Sequence, residues 1–114
     1  MTASRLVLVA NSGDGTISSF SLKDGQLQRL AVNGGAPGCS TFVVDATRDL
    51  VYASVKGDDP GITTFALDRS SGQLWVRTHL STPDGAMNYL SLTRGGNALL
   101  GACYAGGYGI ISTV

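Results

Sequence analysis

GAMNYLSLTRGGNALLGACYAGGYGIISTV, residues 85–114, is the stretch whose reading decides the fold. An apolar run over residues 87–92 meets a polar turn at 93–97. A second run over 98–104 meets a glycine-rich turn at 105–107, and a third run follows to Val114. Short runs punctuated by Gly, Asn and Asp are the pattern of short antiparallel strands, because those residues accept the positive φ that tight turns demand.

Working outward, the same grammar recurs. Residues 41–45, 50–55, 61–67 and 73–79 read as four strands, with turns at 46–49, 56–60 and 68–72. Residues 6–10, 16–22 and 26–32 read as three strands, with turns at 11–15 and 23–25, the last an Asp-Gly hairpin turn. Residues 33–39 (NGGAPGC) and 80–86 read as loops. Leu8, Tyr52 and Leu100 share one position of a repeat; Leu22, Leu67 and Val114 share another. Asp24-Gly25-Gln26-Leu27 returns as Ser71-Gly72-Gln73-Leu74. A period in the mid-forties with four short strands per period predicts the blades of a β-propeller.

The predicted fold is therefore all-β: antiparallel four-stranded blades, about two and a third of them, in one partial propeller domain over residues 1–114. The blade pieces fall at 5–32, 41–79 and 88–114. The strands group as three, four and three, so the first unit lacks its innermost strand and the third its outermost. Unpaired strand edges follow, and the expected partners are further blades of the same protein or self-association through those edges. On this reading the isolated chain self-pairs or aggregates rather than folding as a stable monomer.

Composition excludes several classes. Eight basic residues balance eight acidic ones, which argues against nucleic acid and anionic membrane as partners. No apolar run approaches the roughly 20 residues of a spanning helix. Met1-Thr2-Ala3-Ser4-Arg5 shows no leader pattern, so the expected compartment is the cytoplasm. Cys39 and Cys103 stand far apart with no ligand spacing, and His79 is the single histidine. No metal and no cofactor are expected. The cysteines read as small apolar fillers, Trp75 as blade packing and His79 as solvent-facing.

The chain resembles the amino-terminal part of a bacterial 6-phosphogluconolactonase of the seven-bladed β-propeller lactonase family. The likeness is carried by LVLVANSGDGTISSFSLKDGQL, by FVVDATRDLVYASVKG with ITTFALDRSSGQL, and by YLSLTRGGNALLGACYAGG. It runs along essentially the whole chain, which is about a third of such a protein. The resemblance implies a seven-bladed ring and hydrolysis of a sugar-acid lactone. One departure stands out: where that family commonly has a Cys-His-x-Ser or Thr-His-x-Ser phrase, this chain has Asn88-Tyr89-Leu90-Ser91, with Tyr89 at the histidine position.

Blade geometry narrows the candidates independently. The loop entering each innermost strand lies at the same end as the turn between the second and third strands, around the central channel. Residues 11–14, 33–40, 56–60, 80–89 and 104–108 fall there. Lactone hydrolysis needs an activated water and a donor for the developing oxyanion, and a sugar phosphate needs a cation or clustered N–H groups. Lys56 offers charge; Asn11, Asn88, Tyr89 and Tyr104 offer hydrogen bonds. These five are the substrate-binding candidates, and no catalytic residue is assigned. The Lys56-Gly57-Asp58-Asp59 run also reads as a solvated turn with self-compensating charges, and the glycines after Tyr104 as a turn, lacking the Lys-Ser/Thr and helix of a phosphate loop. No Ser-His-Asp set is expected. The rival to the lactonase reading is a non-catalytic propeller that binds a partner on its loop face; a third reading is an inactive truncated piece.

Overall fold

A computed structural model describes residues 4–114; Met1, Thr2 and Ala3, the head of the predicted domain and of the segment searched for a leader, lie outside the described residues. Among the described residues the chain forms ten strands and no helix. The first sheet is β1 (Arg5–Asn11), β2 (Thr16–Lys23) and β3 (Gln26–Asn33), in that order. The second is β4 (Phe42–Asp45), β5 (Leu50–Val55), β6 (Gly61–Leu67) and β7 (Leu74–Ser81). The third is β8 (Tyr89–Leu92), β9 (Ala98–Cys103) and β10 (Tyr108–Thr113). Every pairing is antiparallel. The three-four-three grouping expected from the turn pattern is the observed one.

Local chemistry explains the joints. Asp24 and Gly25 both take positive φ (53° and 75°), the pair of left-handed residues that a two-residue hairpin needs to match strand twist. Third strands β2 and β6 each carry a bulge, between Ser19 and Phe20 and between Thr64 and Phe65. Several expected boundaries move by a residue or two, and two of the moves matter. Asn33, read as loop, ends β3 and is buried, and Leu80 with Ser81 belongs to β7.

The sheets pack face to face in two seams. Leu6, Leu8, Ala10 and Ile17 of the first sheet meet Val51, Ala53, Val55, Phe65, Leu67 and Leu74 of the second. Tyr52 and Ile62 of the second sheet meet Leu90, Leu99 and Cys103 of the third, with Met87 from the loop before it. Phe65 is only 1% exposed, and burying a side chain of that size contributes about 1.5–3 kcal/mol. The inner strands β4 and β8 approach each other, as neighbouring blades do around a channel.

Each seam also carries a polar clip. In the first, the Asn33 Nδ2 donates to the carbonyls of Ile17 and Gly72 (3.1 Å each), and its Oδ1 accepts the Leu74 N–H (3.0 Å). The Ser19 hydroxyl donates to the same Gly72 carbonyl at 2.5 Å. All these groups are buried, so the clip is favourable only because it is fully satisfied. In the second, Asp45 accepts the N–H groups of Thr47 and Arg48 and the Arg48 guanidinium (2.9 Å), which in turn donates to the Gly96 carbonyl at 2.7 Å. Burial pushes the Asp45 carboxyl up, but the Arg48 N–H and guanidinium and the Thr47 N–H outweigh that and hold it below its ordinary range.

Replacing Asn33 by Ala strands the Leu74 N–H in a dry seam and should lower the unfolding free energy by about 1–3 kcal/mol, read from urea titration. Because the Asp45 pKa is lowered on folding, its contribution is present above the ordinary carboxylate value and lost as pH falls through the lowered one. Thermal stability measured below pH about 4 should thus fall with a shallower slope in Asp45→Asn than in the parent chain.

Candidate functional site

Alternating strand direction puts five connections at one end of the sheets: the β1–β2 turn, the loop 34–41, the β5–β6 turn, the loop 82–88 and the β9–β10 turn. Hydrogen bonds stitch them together across the seams. The Ala36 N–H donates to the Gly15 carbonyl (3.0 Å), the Lys56 N–H to the Pro37 carbonyl (2.7 Å) and the Thr82 N–H to the Pro60 carbonyl (2.8 Å). The Ser54 hydroxyl donates to the Met87 carbonyl at 2.6 Å. Two glycines make the close approach feasible. Gly38, at φ +63°, lies under the Lys56 stem, where a Cβ would come within 2.9 Å of the Lys56 Cβ. Gly85, at φ +140°, leaves no room for a Cβ beside the Cys103 Sγ, 2.8 Å away.

The five candidates fall on this face in unequal groupings. Asn88, Tyr89 and Tyr104 come together: the Asn88 Oδ1 accepts the Tyr104 N–H at 2.6 Å, and Tyr89 opens inner strand β8 next to it. Tyr89 is 67% exposed and Tyr104 90%, so both phenols are free to meet a solute. Lys56 lies on the β5–β6 turn, one seam away, with its stem against Gly38; among the described residues its ammonium makes no ion pair. The turn is solvent-exposed over residues 56–59, as read from the sequence, and Asp59 lies beside His79. Asn11 ends β1 in the first sheet, apart from the other four, and its Nδ2 donates to the Thr16 (3.1 Å) and Ser18 (2.8 Å) hydroxyls of its own hairpin.

Tyr108 supports this face from beneath. Its hydroxyl donates to the Gly85 carbonyl at 2.9 Å. Burial pushes its pKa up, the neighbouring Cys103 and Asp84 add to that, and Thr82 opposes it. The Thr82 hydroxyl sits beside it without hydrogen-bond geometry, and is a buried side-chain oxygen left unpartnered. Both cysteines are buried and free, as read from the sequence; burial pushes the Cys39 thiol up, away from thiolate chemistry. No cluster of three or more metal-ligating side chains exists among the described residues.

His79 is exposed on β7, as read from the sequence, and also makes two contacts: its Nδ1 is 2.9 Å from the Thr63 hydroxyl and its Nε2 3.3 Å from an Asp59 carboxylate oxygen. These contacts form a Thr63–His79–Asp59 file. Thr63 and His79 are cross-strand partners in β6 and β7, but the bulge at Thr64 hides that pairing from a simple count. With Thr63 buried inside the sheet, the file ties the β5–β6 turn to the edge strand rather than presenting a nucleophile. Trp75, expected to pack between blades, is 50% exposed on β7.

The sequence pattern of the family described as "Lactonase, 7-bladed beta-propeller" matches residues 3–113. The chain belongs to that family. Among solved structures it is similar to a protein described as a 6-phosphogluconolactonase from Bacteroides uniformis, with a TM-score of 0.82 and 22% identity over 93% of this chain and 32% of that one. A protein described in the same words from Bacteroides fragilis aligns with a TM-score of 0.79 and 21% identity, over 99% of this chain and 32% of that one. A periplasmic gluconolactonase from Pseudomonas aeruginosa aligns with a TM-score of 0.74 and 22% identity, over 96% and 36%. This lactonase-family chain therefore spans about a third of the length of those solved relatives, and at such identities the likeness is one of fold. None of the curated protein sequences matches it. No helix among the described residues is long and apolar enough to cross a membrane.

The Asn88–Tyr104 bond ties the β9–β10 turn to the loop before β8, beside the turn's own Gly107–Cys103 and Gly106–Cys103 bonds. In Asn88→Ala, cleavage by chymotrypsin after Tyr104 should accelerate several-fold under native conditions, while cleavage at the other aromatic sites keeps its rate; equal rates in parent and variant would show that the bond does not hold the turn.

Proposed function

We propose that the full-length protein hydrolyses a sugar-acid lactone of the 6-phosphogluconolactone kind, and that this loop face is part of its site. The observation that supports this best is the grouping of Asn88, Tyr89 and Tyr104 at the head of inner strand β8, with Lys56 on the neighbouring turn. Ring opening by water builds negative charge on the former carbonyl oxygen, and donors placed where that charge appears stabilise it. In this proposal the Tyr89 hydroxyl serves as such a donor, in the place where other family members commonly carry histidine. The Asn88 Nδ2, whose oxygen is already committed to Tyr104, is directed to the sugar hydroxyls. Lys56 supplies the cation for a phosphate or carboxylate. Attack by activated water, rather than by a protein nucleophile, fits a face that carries hydroxyl, amide and ammonium groups but, among the described residues, no exposed hydroxyl–imidazole pair. We further propose the cytoplasm as its compartment, which fractionation with antibody detection tests.

The experiment is a hydrolysis assay of the full-length protein on 6-phosphogluconolactone and on unphosphorylated gluconolactone. Tyr89→Phe should lower kcat by roughly 10²-fold on both, the scale of one lost oxyanion donor. Lys56→Ala should raise KM for the phosphorylated lactone alone. Hydrolysis no faster than in buffer, on both lactones, would contradict the proposal.

A further inference from the structure

The end of the sheets opposite the loop face carries a second polar cleft. The β4–β5 turn (residues 46–49) and the β8–β9 turn (residues 93–97) meet there. Between them, at the feet of inner strands β4 and β8, lies a cleft of about 260 Å³. Its polar lining comes from Asp45, Thr47, Arg48, Thr93, Arg94 and the Gly95 backbone. The cleft is bounded wholly by these two strands and their turns.

Its donors outnumber its acceptors. The one carboxylate lining it, Asp45, is buried and already saturated: one oxygen accepts the Thr47 and Arg48 N–H groups and the other the Arg48 Nη1. Gly96, at φ +72°, makes room for that pair, since a Cβ there would come within 2.7 Å of the Arg48 Nη1 and 3.1 Å of the Asp45 Oδ2. Asp49, on the same turn, is paired with Arg69. Arg48 is thus a cation held in place, its Nη1 divided between Asp45 and the Gly96 carbonyl. Its Nη2 reaches the Asn97 Oδ1 only at 3.4 Å, and its Nε has no partner among the described residues. Arg94 is exposed and makes no ion pair or side-chain hydrogen bond among the described residues. In its turn the Gly96 N–H closes on the Thr93 carbonyl (2.8 Å), while the N–H groups of Arg94 and Gly95 have no acceptor among the described residues. The Thr93 Oγ1 accepts the Ala98 N–H (3.1 Å), so its hydroxyl hydrogen is left to donate.

We propose that this cleft binds a phosphate group, held by the Arg94 guanidinium, the unused N–H edge of Arg48, the Thr93 hydroxyl and the Arg94 and Gly95 N–H groups. Two guanidinium groups face one carboxylate that is already neutralised, so a cation is repelled and an anion drawn in. A neutral polyol would need acceptors as well as donors, and the cleft has none to spare. Planar guanidinium groups and turn N–H groups together suit a tetrahedral oxyanion. The volume is below the roughly 300–1,000 Å³ that encloses a whole small molecule, so the cleft takes one anionic group, free or carried on a larger solute. The site is separate from the loop face: Tyr89 opens β8 there, and Leu92 closes the same strand at the cleft.

The test is calorimetric titration of inorganic phosphate, and separately of methyl phosphate, into the full-length protein, with chloride holding the ionic strength constant. Saturable binding is expected for at least one of the two; methyl phosphate binding as well as phosphate identifies a monoester's group, and phosphate alone the free ion. Arg94→Ala should weaken that binding about tenfold or more, and Arg94→Lys should restore part of it. Because Arg94 is exposed and lies outside both apolar seams, Arg94→Ala should keep the parent's Tm in phosphate-free buffer. Lys56→Ala should leave the binding unchanged, which separates this site from any anion held on the loop face. Equal affinity in the parent and Arg94→Ala overturns the proposal. So does the absence of binding by both phosphates, or a loss confined to Lys56→Ala, which would put the anion on the loop face instead.

Discussion

Strand β5 runs through the molecule with apolar side chains pointing both ways: Val51, Ala53 and Val55 into the seam with the first sheet, Tyr52 into the seam with the third. With β6 beside it, the middle of the second sheet is buried on both faces. A sheet with two apolar faces has no stable place in water unless another layer covers each, and that constraint orders the rest. The flanking sheets each give one face to the middle one. Their outer faces keep apolar residues in the open, Val9 on one and Leu100 and Ile111 on the other, which is what neighbouring blades in a ring would cover.

The same arrangement makes the loop face. Because strands alternate in direction, the segments stitched by the Ala36–Gly15, Lys56–Pro37 and Thr82–Pro60 hydrogen bonds all lie at one end. Backbone polar groups are thereby satisfied within the loops, and side chains such as Tyr89, Tyr104 and Lys56 are released outward rather than spent on capping. Scaffold and candidate site are separable: the seams hold the face rigid, and chemistry is set by what projects from it.

Much of the fold was legible because turn chemistry is local. The boundaries of β5 and β6 follow from the Asp49, Gly57 and Pro60 punctuation, and the Asp24-Gly25 hairpin from its dipeptide. What stayed hidden depends on partners distant in the chain. Asn33 looks like the first residue of a Gly-rich loop, and its burial is set by the Gly72 carbonyl and Leu74 N–H, which no local pattern connects to it. The Thr63–His79–Asp59 file needs the register beyond a bulge. Trp75 reads as blade packing, yet β7 is the outer strand of its sheet and its side chains there have no layer to bury against. For the site, residue types and the face they share were readable, whereas the Asn88–Tyr104 bond that gathers three of them required the loops' actual path.

The central claim is that β5 and β6, covered on both faces, are the stable centre on which the flanking sheets depend. Native-state hydrogen exchange, resolved by residue, tests this most directly. The account predicts the slowest exchange at the hydrogen-bonded amides of β5 and β6, and exchange in β10 faster by orders of magnitude. Protection in β10 equal to that in β6, in a chain shown to be monomeric, would contradict it.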